Sequence, residues 1–485
     1  ISGNLTVTQG TLTTTGSNHA LTVTGDMLVA TGGTFTGNSS AVILRSLELQ
    51  GAATFSAPDA SGSCTINGRK AGTSRCIDVG NNDNNFSGNG GTLTFTSANG
   101  GDLQGIEHLS AADELNNLTI NVSDGSGTFY LMGDTTVTGN LTITAGTLTS
   151  NNGSADKDLT VTGATDVTGT LTLNDSTVSL GALRANSGAA ITQGSSGTLE
   201  LTSATAANAA GFGDNYSLKN DDGTSDINFG GTITVSAGTY FLGGTAPLAA
   251  SVINNLIVND SHYWVGSLTV GGYMTINASK HWQTYGSATG GSRAIKVTGD
   301  LTINGQLTTY KANELDLAAE FGSLTIASGG TYTATSGTTT ITSRTSGGYS
   351  WYSPTTGSTF THNNGKVKLA YTSNETYWQG TGFYDLEIAG HTAYEHRYDD
   401  LTDGSGLTIF NNFTITEGRV RFNQAGDNVT VHGLTKMVSG QYGNTGTAPS
   451  GTHNYGNVVI EGGTWKVTSG TCNMSGIRNV GGTLA

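Results

Sequence analysis

Short apolar strand signals recur along the whole chain, each with apolar residues at alternate positions and a threonine between them. Typical segments are LTV at 5–7, LTI at 141–143 and FTI at 413–415. Alternation with a period of two puts the apolar side chains on one strand face and the threonines on the other. Gly, Asn, Asp and Ser cluster between the strands, where corners and positive φ angles are needed. The pattern predicts an all-β chain of many short strands.

The distance between neighbouring strand signals indicates how these strands are arranged. Leu5 and Leu21 are 16 residues apart, Leu141 and Leu159 are 18 apart, and Leu118 and Leu141 are 23 apart. Each distance is about one coil of a β-solenoid, whose apolar face is buried only when neighbouring coils stack on it. We therefore expect a rod-like parallel β-helix, that is, a β-solenoid of stacked short coils.

The sequence also repeats with a period that is longer than one coil. LNNLTIN at 115–121 recurs as INNLIVN at 253–259 and as FYDLEIA at 383–389, which places Leu118, Leu256 and Leu386 at 138- and 130-residue intervals. The period predicts modules at 114–252, 253–382 and 383–455, preceded by a repeat region at 1–113. A further repeat begins within 456–485. The chain starts at ISGNLTV and stops at VGGTLA, both inside the pattern, so we expect it to be part of a longer protein or filament.

Composition narrows the functional classes. Gly accounts for 73 of 485 residues and Pro for only 4, and charged residues are 11% of the chain against about 25% in a typical soluble protein. The formal charge of −15, without a basic cluster, disfavours a nucleic-acid partner. No run approaches the roughly 20 apolar residues of a membrane span. One run with helical spacing, at 311–321, is the only candidate helix.

Two of the three cysteines bracket a Gly-rich basic segment. Cys64 and Cys76 enclose eleven residues, and Cys472 has no obvious partner. This spacing favours a disulfide-closed loop, with two independent thiols or a metal site as alternatives. A disulfide would agree with an oxidising, extracellular location.

Aromatic residues are concentrated in the second half of the chain, where 27 of 36 lie from Tyr240 onward. Trp and Tyr combine an apolar face with a polar edge, so outward rings on a polar strand could stack on sugars. The alternative is that the rings fill the core. The predicted carbohydrate-binding residues are Trp264, Trp282, Trp351, Tyr352 and Trp378.

No motif indicates catalysis or a resident cofactor. In YEHRYDDLTDG at 394–404, Glu395, Arg397 and Asp399 would share one strand face, and paired carboxylates of this kind can cleave glycans. A solvated charged segment is the favoured interpretation, so we predict no enzyme. Asp221, Asp222 and Asp226 in NDDGTSD are weak calcium candidates; turn formation explains them as well. We expect no cofactor, with Ca²⁺ as the one possibility.

The segments FTHNNGKV, FYDLEIAG and NNFTITEGRVRF, with their NNLTI echoes, resemble repeats of large surface adhesins of environmental bacteria. They also resemble repeat regions of marine bacteriophage appendage proteins. The resemblance implies a β-solenoid displayed on a cell or virion surface and supplies no catalytic residues. We expect an extracellular structural or adhesive fibre segment that self-associates end to end or laterally. The alternatives are a bacteriophage fibre binding a host surface glycan and, less favoured, a polysaccharide-cleaving β-helix.

Overall fold

The computed structural model is built from strands that pair in parallel as stacked coils, and the predicted all-β β-solenoid is confirmed. Contacts divide the chain into two compact units, Ile1–Asn254 (unit 1) and Asn255–Ala485 (unit 2). The predicted module boundaries are finer than these two units. The structure describes residues 1–14, 17–79, 85–104, 115–203, 215–220, 225–238, 240–241, 252–264, 266–284, 294–309, 318–354, 356–380, 382–391, 393–399, 406–422, 427–443, 451–466 and 470–485.

Strands of two to ten residues make up unit 1. They are β1 (Leu5–Val7), β2 (Gly10–Thr13), β3 (Leu21–Val29), β4 (Gly33–Thr36), β5 (Ala41–Leu49), β6 (Thr54–Ser56), β7 (Ser63–Ile66), β8 (Arg75–Asp78), β9 (Asn85–Ser87), β10 (Thr92–Phe95), β11 (Gly101–Gln104), β12 (Asn117–Asn121), β13 (Thr128–Leu131), β14 (Thr135–Val137), β15 (Leu141–Ala145), β16 (Thr147–Thr149), β17 (Leu159–Val167), β18 (Thr170–Thr172), β19 (Thr177–Ala185), β20 (Ala190–Gln193), β21 (Thr198–Leu201), β22 (Tyr216–Asn220), β23 (Asp226–Val235) and β24 (Tyr240–Phe241).

The unit boundary falls inside β25, and unit 2 continues in the same style. Its strands are β25 (Val252–Val258), β26 (His262–Trp264), β27 (Leu268–Val270), β28 (Met274–Ile276), β29 (His281–Thr284), β30 (Ile295–Ile303), β31 (Gln306–Thr308), β32 (Ala319–Ile326), β33 (Thr331–Thr333), β34 (Thr338–Ile341), β35 (Tyr349–Tyr352), β36 (Thr359–Thr361), β37 (Lys366–Leu369), β38 (Thr376–Gln379), β39 (Gly382–Phe383), β40 (Asp385–Ala389), β41 (Glu395–Tyr398), β42 (Leu407–Ile409), β43 (Phe413–Glu417), β44 (Arg419–Phe422), β45 (Val429–Met437), β46 (Gln441–Tyr442), β47 (Thr452–Ile460), β48 (Thr464–Trp465), β49 (Thr471–Asn479) and β50 (Thr483–Leu484).

A typical described coil contributes one strand to each of three parallel ladders, so it has three sides. In unit 1, β1 pairs with the C-terminal part of β3, β2 pairs with β4, and the N-terminal part of β3 pairs with that of β5. Nine-residue strands such as β3 bend in the middle and serve two ladders. Two neighbouring parallel strands need a long connection between them, and one turn of the coil provides this connection.

The bends of these long strands occur at glycines that lie against the previous coil. Asn4 Oδ1 accepts a hydrogen bond of 2.9 Å from the backbone N–H of Asp26, and a Cβ atom on Gly25 would lie 2.4 Å from that oxygen. The same arrangement recurs with Asn140 and Gly163. The Asn that precedes an apolar strand and the Gly one coil later are therefore a single structural feature.

Three ladders of unit 2 position the candidate site, and we number them. Ladder 1 runs through β28, the C-terminal parts of β30 and β32, β35, β38, β41 and β44. Ladder 2 contains β26, β29, β31, β33 and β36, and on later coils β39, β42 and the N-terminal part of β45. Ladder 3 runs through β27, the N-terminal parts of β30 and β32, β34, β37, β40 and β43.

The long period of the sequence does not contain a whole number of coils. Leu256 pairs with Met274, at the head of ladder 1, whereas Leu386 pairs with Val367 and Phe413 in ladder 3. Equivalent residues of successive modules therefore lie on different sides of the solenoid. A side chain that faces one direction in one module faces another direction in the next.

Leu, Val, Ile and aromatic side chains fill the interior of the coils. In unit 1 the rings of Phe35, Phe55 and Phe86 stack at centroid distances of 4.9 and 5.6 Å, close to the spacing of adjacent strands. The candidate helix at 311–321 is not a helix where it is described, since 319–321 belong to β32, and 310–317 lie outside the described residues. No helix in the described part of the chain is long and apolar enough to cross a membrane.

Candidate functional site

Ladder 2 is interrupted in the middle of unit 2. β36 pairs with β33 on the preceding coil, and β39 pairs with β42 on the following one, but the described strands show no pairing between β36 and β39. The coil that carries β39 is short, because β38 ends at Gln379 and β40 begins at Asp385. In the part of the chain that the structure describes, its strand β39 pairs with the following coil but not with β36, and a recess lies at this gap.

The recess is a pocket of about 360 Å³ lined by residues of three successive coils. Trp351 and Phe360 come from the first coil, Gly380 and Gly382 from the short coil, and Phe410 from the third. Such a volume lies at the lower end of the roughly 300–1,000 Å³ of small-molecule sites. The pocket is therefore large enough for one small ligand.

Two glycines keep the pocket open. A Cβ atom on Gly380 would lie 3.2 Å from Nε1 of Trp351, and a Cβ on Gly382 would lie 3.2 Å from a ring carbon of Phe410. Both distances are shorter than ordinary van der Waals contact. A side chain at either position would occupy the space that the short coil leaves.

The polar groups of the pocket are uncharged. Nε1 of Trp351 is buried and has no hydrogen-bond partner among the described residues. The hydroxyls of Ser353 and Ser358 are 3.0 Å apart, and Thr361 supplies a third hydroxyl. Burial lowers the pKa of His362 from its usual 6.5, so the imidazole is neutral at neutral pH. No Asp, Glu, Lys or Arg is found among the described residues that line the pocket.

Aromatic rings continue from the pocket along one corner of unit 2. His362, Tyr384, Phe410 and His432 each follow a ladder 2 strand on four successive coils. The ring of His362 lies 5.5 Å from Tyr384 and 5.3 Å from Phe410, and Phe410 stacks on His432 at 6.3 Å. The side chain of Phe410 is 49% exposed. We call these four residues the aromatic column.

The tryptophans singled out in the sequence do not face outward, so the predicted outward orientation of these rings was wrong. The side chains of Trp264, Trp282, Trp351 and Trp378 are at most 1% exposed. Trp264 stacks on Trp282 at 6.1 Å, and such enclosed rings cannot stack on a sugar. The packing alternative holds because these strands have an aromatic residue at the inward position. Trp351 alone among them lines the pocket.

Tyr352 lies on the outer side of β35 and is half-buried. Its ring makes an edge contact of 4.9 Å with the ring of Tyr349. Tyr352 does not line the pocket, so the structure does not bring it together with Trp351.

The predicted disulfide between Cys64 and Cys76 is absent, and both residues are buried thiols. Cys64 pairs in register with Val42 and Leu93, whereas Cys76 precedes Ile77 in a different ladder. Burial raises the pKa of both thiols to about 12. Cys76 also donates a hydrogen bond of 3.3 Å from Sγ to the carbonyl of Gly100.

The charged segment at 394–404 forms ion pairs where it is described. Glu395 Oε2 lies 2.9 Å from Arg397 and 3.2 Å from Arg421. Asp399 is buried and accepts a hydrogen bond of 2.9 Å from the hydroxyl of Tyr349. The two carboxylates are thus in different environments, one paired with guanidinium groups and the other covered by a tyrosine.

No group of three potential metal-ligating side chains occurs in the described part of the chain. Of the calcium candidates, Asp226 is exposed at the start of β23. Asp221 and Asp222 lie outside the described residues.

The sequence does contain a signal for the aromatic column. His362, Tyr384, Phe410 and His432 each come directly after a ladder 2 strand and directly before Asn, Asp or Gly. Detecting this signal requires the three-sided coil, because the intervals between the four positions are unequal.

Comparisons with known proteins identify no relative. The chain matches no protein-family model, and neither curated proteins nor solved structures show significant similarity to it.

Proposed function

We propose that this chain is a segment of an extracellular structural or adhesive fibre. The observation that carries the proposal is the stacking of coils within each unit, in which parallel ladders of backbone hydrogen bonds join most neighbouring coils among the described strands. A repeat built in this way is a scaffold whose stability comes from neighbour-to-neighbour contacts. It displays its outer side chains at a regular spacing of about 4.8 Å per coil.

The outer surface supports a structural role. Outward positions of the strands are mostly Thr, Ser and Asn, and some charged residues pair across adjacent coils, as Lys296 does with Glu320 at 2.8 Å and Lys436 with Glu461 at 3.0 Å. A polar surface with a net charge of −15 favours solubility of the protein. Display on a cell or particle is also what the resemblance of the repeats to those of surface adhesins and phage appendages implies.

The adhesive part of the proposal rests on the aromatic column and its pocket. An exposed ring on an otherwise polar surface is a feature that binding surfaces use. In unit 2 the four rings of the aromatic column come from successive coils and contact one another instead of being scattered.

Immunoelectron microscopy of the source cells or particles tests the proposal. Antibody raised against the folded chain should label filaments or the outer surface. The proposal would be contradicted if intact cells were not labelled and label appeared in the interior only after the cells were permeabilised. Electron microscopy of the purified native material should in parallel show long filaments or surface projections that carry the label.

A further inference from the structure

We propose that the pocket in unit 2 binds one neutral pyranose residue of a glycan, with the indole N–H of Trp351 donating a hydrogen bond to a sugar oxygen. The inference deepens the adhesive part of the proposed function and rests on it, because it names the class of ligand. It concerns a single recess and does not depend on how the chain assembles.

Trp351, one of the described residues that line the recess, has an unpaired hydrogen-bond donor. The side chain of Trp351 is fully buried, and its Nε1 lacks a hydrogen-bond partner among the described residues. It is this atom that a Cβ on Gly380 would approach to 3.2 Å. Burial of an unpaired N–H is unfavourable, so a ligand oxygen at this place restores a lost interaction. Trp378 also has an unpaired Nε1, but it does not line the pocket and serves as a comparison.

The rest of the lining matches a sugar ring. A pyranose has hydroxyls around its edge and C–H groups on its faces. The hydroxyls of Ser353, Ser358 and Thr361 can exchange hydrogen bonds with the edge, and the rings of Phe360 and Phe410 provide apolar area for a face.

The charge of the lining selects neutral sugars. Recognition of a carboxylate or phosphate uses Arg, Lys or a cluster of backbone N–H groups. The described lining residues include no Arg or Lys, and the lowered pKa of His362 leaves that ring uncharged. Sialic acids, uronic acids and phosphosugars are therefore disfavoured relative to neutral hexoses.

The aromatic column extends the site beyond one ring. Phe410 belongs both to the pocket and to the column, and His432 stacks on it one coil further on. A glycan whose terminal residue occupies the pocket can therefore place its next residue against the column. Affinity should increase from a monosaccharide to an oligosaccharide.

The test uses the full chain and defined probes. The probes are methyl β-D-glucopyranoside, methyl β-D-galactopyranoside, methyl α-D-mannopyranoside and, as a charged comparison, methyl β-D-glucuronide. Binding is measured by saturation-transfer NMR and by titration of tryptophan fluorescence. We expect at least one neutral probe to bind with a Kd of about 1–10 mM and the glucuronide to bind more weakly.

Matched variants locate the binding. Trp351→Phe replaces the indole by a smaller phenyl ring without an N–H, and it should weaken binding about five- to tenfold, whereas Trp378→Phe makes the same loss of volume outside the pocket. Gly380→Ala places a methyl group 3.2 Å from Nε1 of Trp351, where it excludes the sugar oxygen, and should abolish binding. Trp378→Phe and Gly347→Ala are the controls, since Gly347 has only ordinary contacts at 3.6 Å, and both should bind as the unaltered chain does.

A second pair of variants covers the case in which Gly380→Ala or Trp351→Phe fails to fold. Phe410→Ala removes an exposed ring of the pocket, and Tyr273→Ala removes another ring of unit 2 that is 40% exposed. Only Phe410→Ala should reduce the fluorescence change on titration.

Three results would overturn the inference. They are no binding of any neutral probe to the folded chain at about 50 mM, binding that survives both Trp351→Phe and Gly380→Ala in folded variants, and preferential binding of the glucuronide. The outcomes are separate from those of immunolabelling. Surface labelling without sugar binding contradicts only this inference, whereas sugar binding with purely interior labelling contradicts only the proposed function.

Discussion

Asn140 links its own coil to the next one, since its Oδ1 accepts a hydrogen bond of 2.8 Å from the backbone N–H of Ala164. Asn117 makes the same bond, at 2.9 Å, to the N–H of Asn140 itself. Each of these asparagines directly precedes a buried leucine, Leu118 or Leu141. The Asn-Leu-Thr signal of the sequence therefore specifies an apolar strand and also the bond that fixes the following coil.

Replacing Asn140 by Ala should loosen the coil that begins near Ala164. Loss of the acceptor leaves a backbone N–H without its partner and should cost about 1 kcal/mol of unfolding free energy. Hydrogen exchange measured by mass spectrometry should be faster in peptides covering 159–167. Asn140→Asp is the control, because Asp385 accepts the equivalent bond from the N–H of Asn412 at 2.8 Å. Unchanged exchange in Asn140→Ala would show that the bond does not hold the coil.

Gly163 should not tolerate a side chain. A Cβ atom there would lie 2.4 Å from both Oδ1 of Asn140 and the carbonyl oxygen of Gly139, and the backbone atoms of the previous coil cannot move aside freely. We expect Gly163→Ala to lower the free energy of unfolding by about 2 kcal/mol or more, as overpacking does. Urea unfolding followed by circular dichroism measures the effect, and Gly347→Ala is the matched substitution. Equal midpoints for the two variants would contradict the close approach.

The fold could be predicted from the sequence because strand periodicity and repetition are local signals. Which strands pair with each other on neighbouring coils could not be predicted. Leu118 does pair with Leu141, as their 23-residue spacing suggested. Leu5, however, pairs with Met27 and not with Leu21. The same apolar-Thr-apolar signal occurs on all three sides of a coil, so the distance between two signals can be less than one full turn.

The candidate site was harder to predict because it depends on two residues that have no side chain. Trp351 was identified, but as an outward ring, whereas the structure places it in the core as one of the residues that line the pocket. The pocket itself exists because Gly380 and Gly382 lie on a coil too short to close the side. Nothing in the local sequence distinguishes these glycines from the many glycines at corners.

The cysteines offer a direct test of the corrected prediction. In the folded chain, Cys64 and Cys76 are buried thiols with pKa values raised to about 12, so few thiolates form at pH 8 and reagents reach them poorly. Cys472 is partly exposed and should react first. Without reductant, a thiol assay should detect three thiols after unfolding in guanidinium chloride.

Detection of one thiol after unfolding, rising to three with reductant, would instead restore the disulfide. The variant Cys472→Ser serves as the control, since it should remove the early-reacting thiol and leave two thiols that appear only on unfolding.

His396 should make the chain less stable in mild acid. Its ring is fully buried in β41, where Thr376 and Val420 are opposite it on the adjacent coils, and the charged neighbours Glu395 and Arg397 lie on the outer side of the same strand. Burial lowers its pKa from 6.5 to about 4, with the backbone of Tyr371 acting weakly in the opposite direction.

Below pH 6.5 the unfolded chain takes up a proton at this imidazole, while the folded chain does so only near pH 4. Above pH 6.5 His396 therefore does not reduce the free energy of unfolding. As the pH falls from 6.5 toward 4, the free energy of unfolding decreases. The total loss in the free energy of unfolding is about 3 kcal/mol, because a pKa change of one unit corresponds to about 1.4 kcal/mol. Carboxylates such as Glu387, whose pKa the Lys366 and Lys368 hydrogen bonds lower against burial, add a loss below about pH 5.

The contribution of His396 is isolated by comparing variants over pH 4–7. His396→Gln removes the titrating group, so its urea midpoint should change less between pH 7 and pH 4 than that of the unaltered chain. His432→Gln, at an exposed position, should keep the full pH dependence. If His396→Gln loses as much stability in acid as His432→Gln does, the acid sensitivity of the solenoid has its origin in other groups, and the buried imidazole is not what limits its stability.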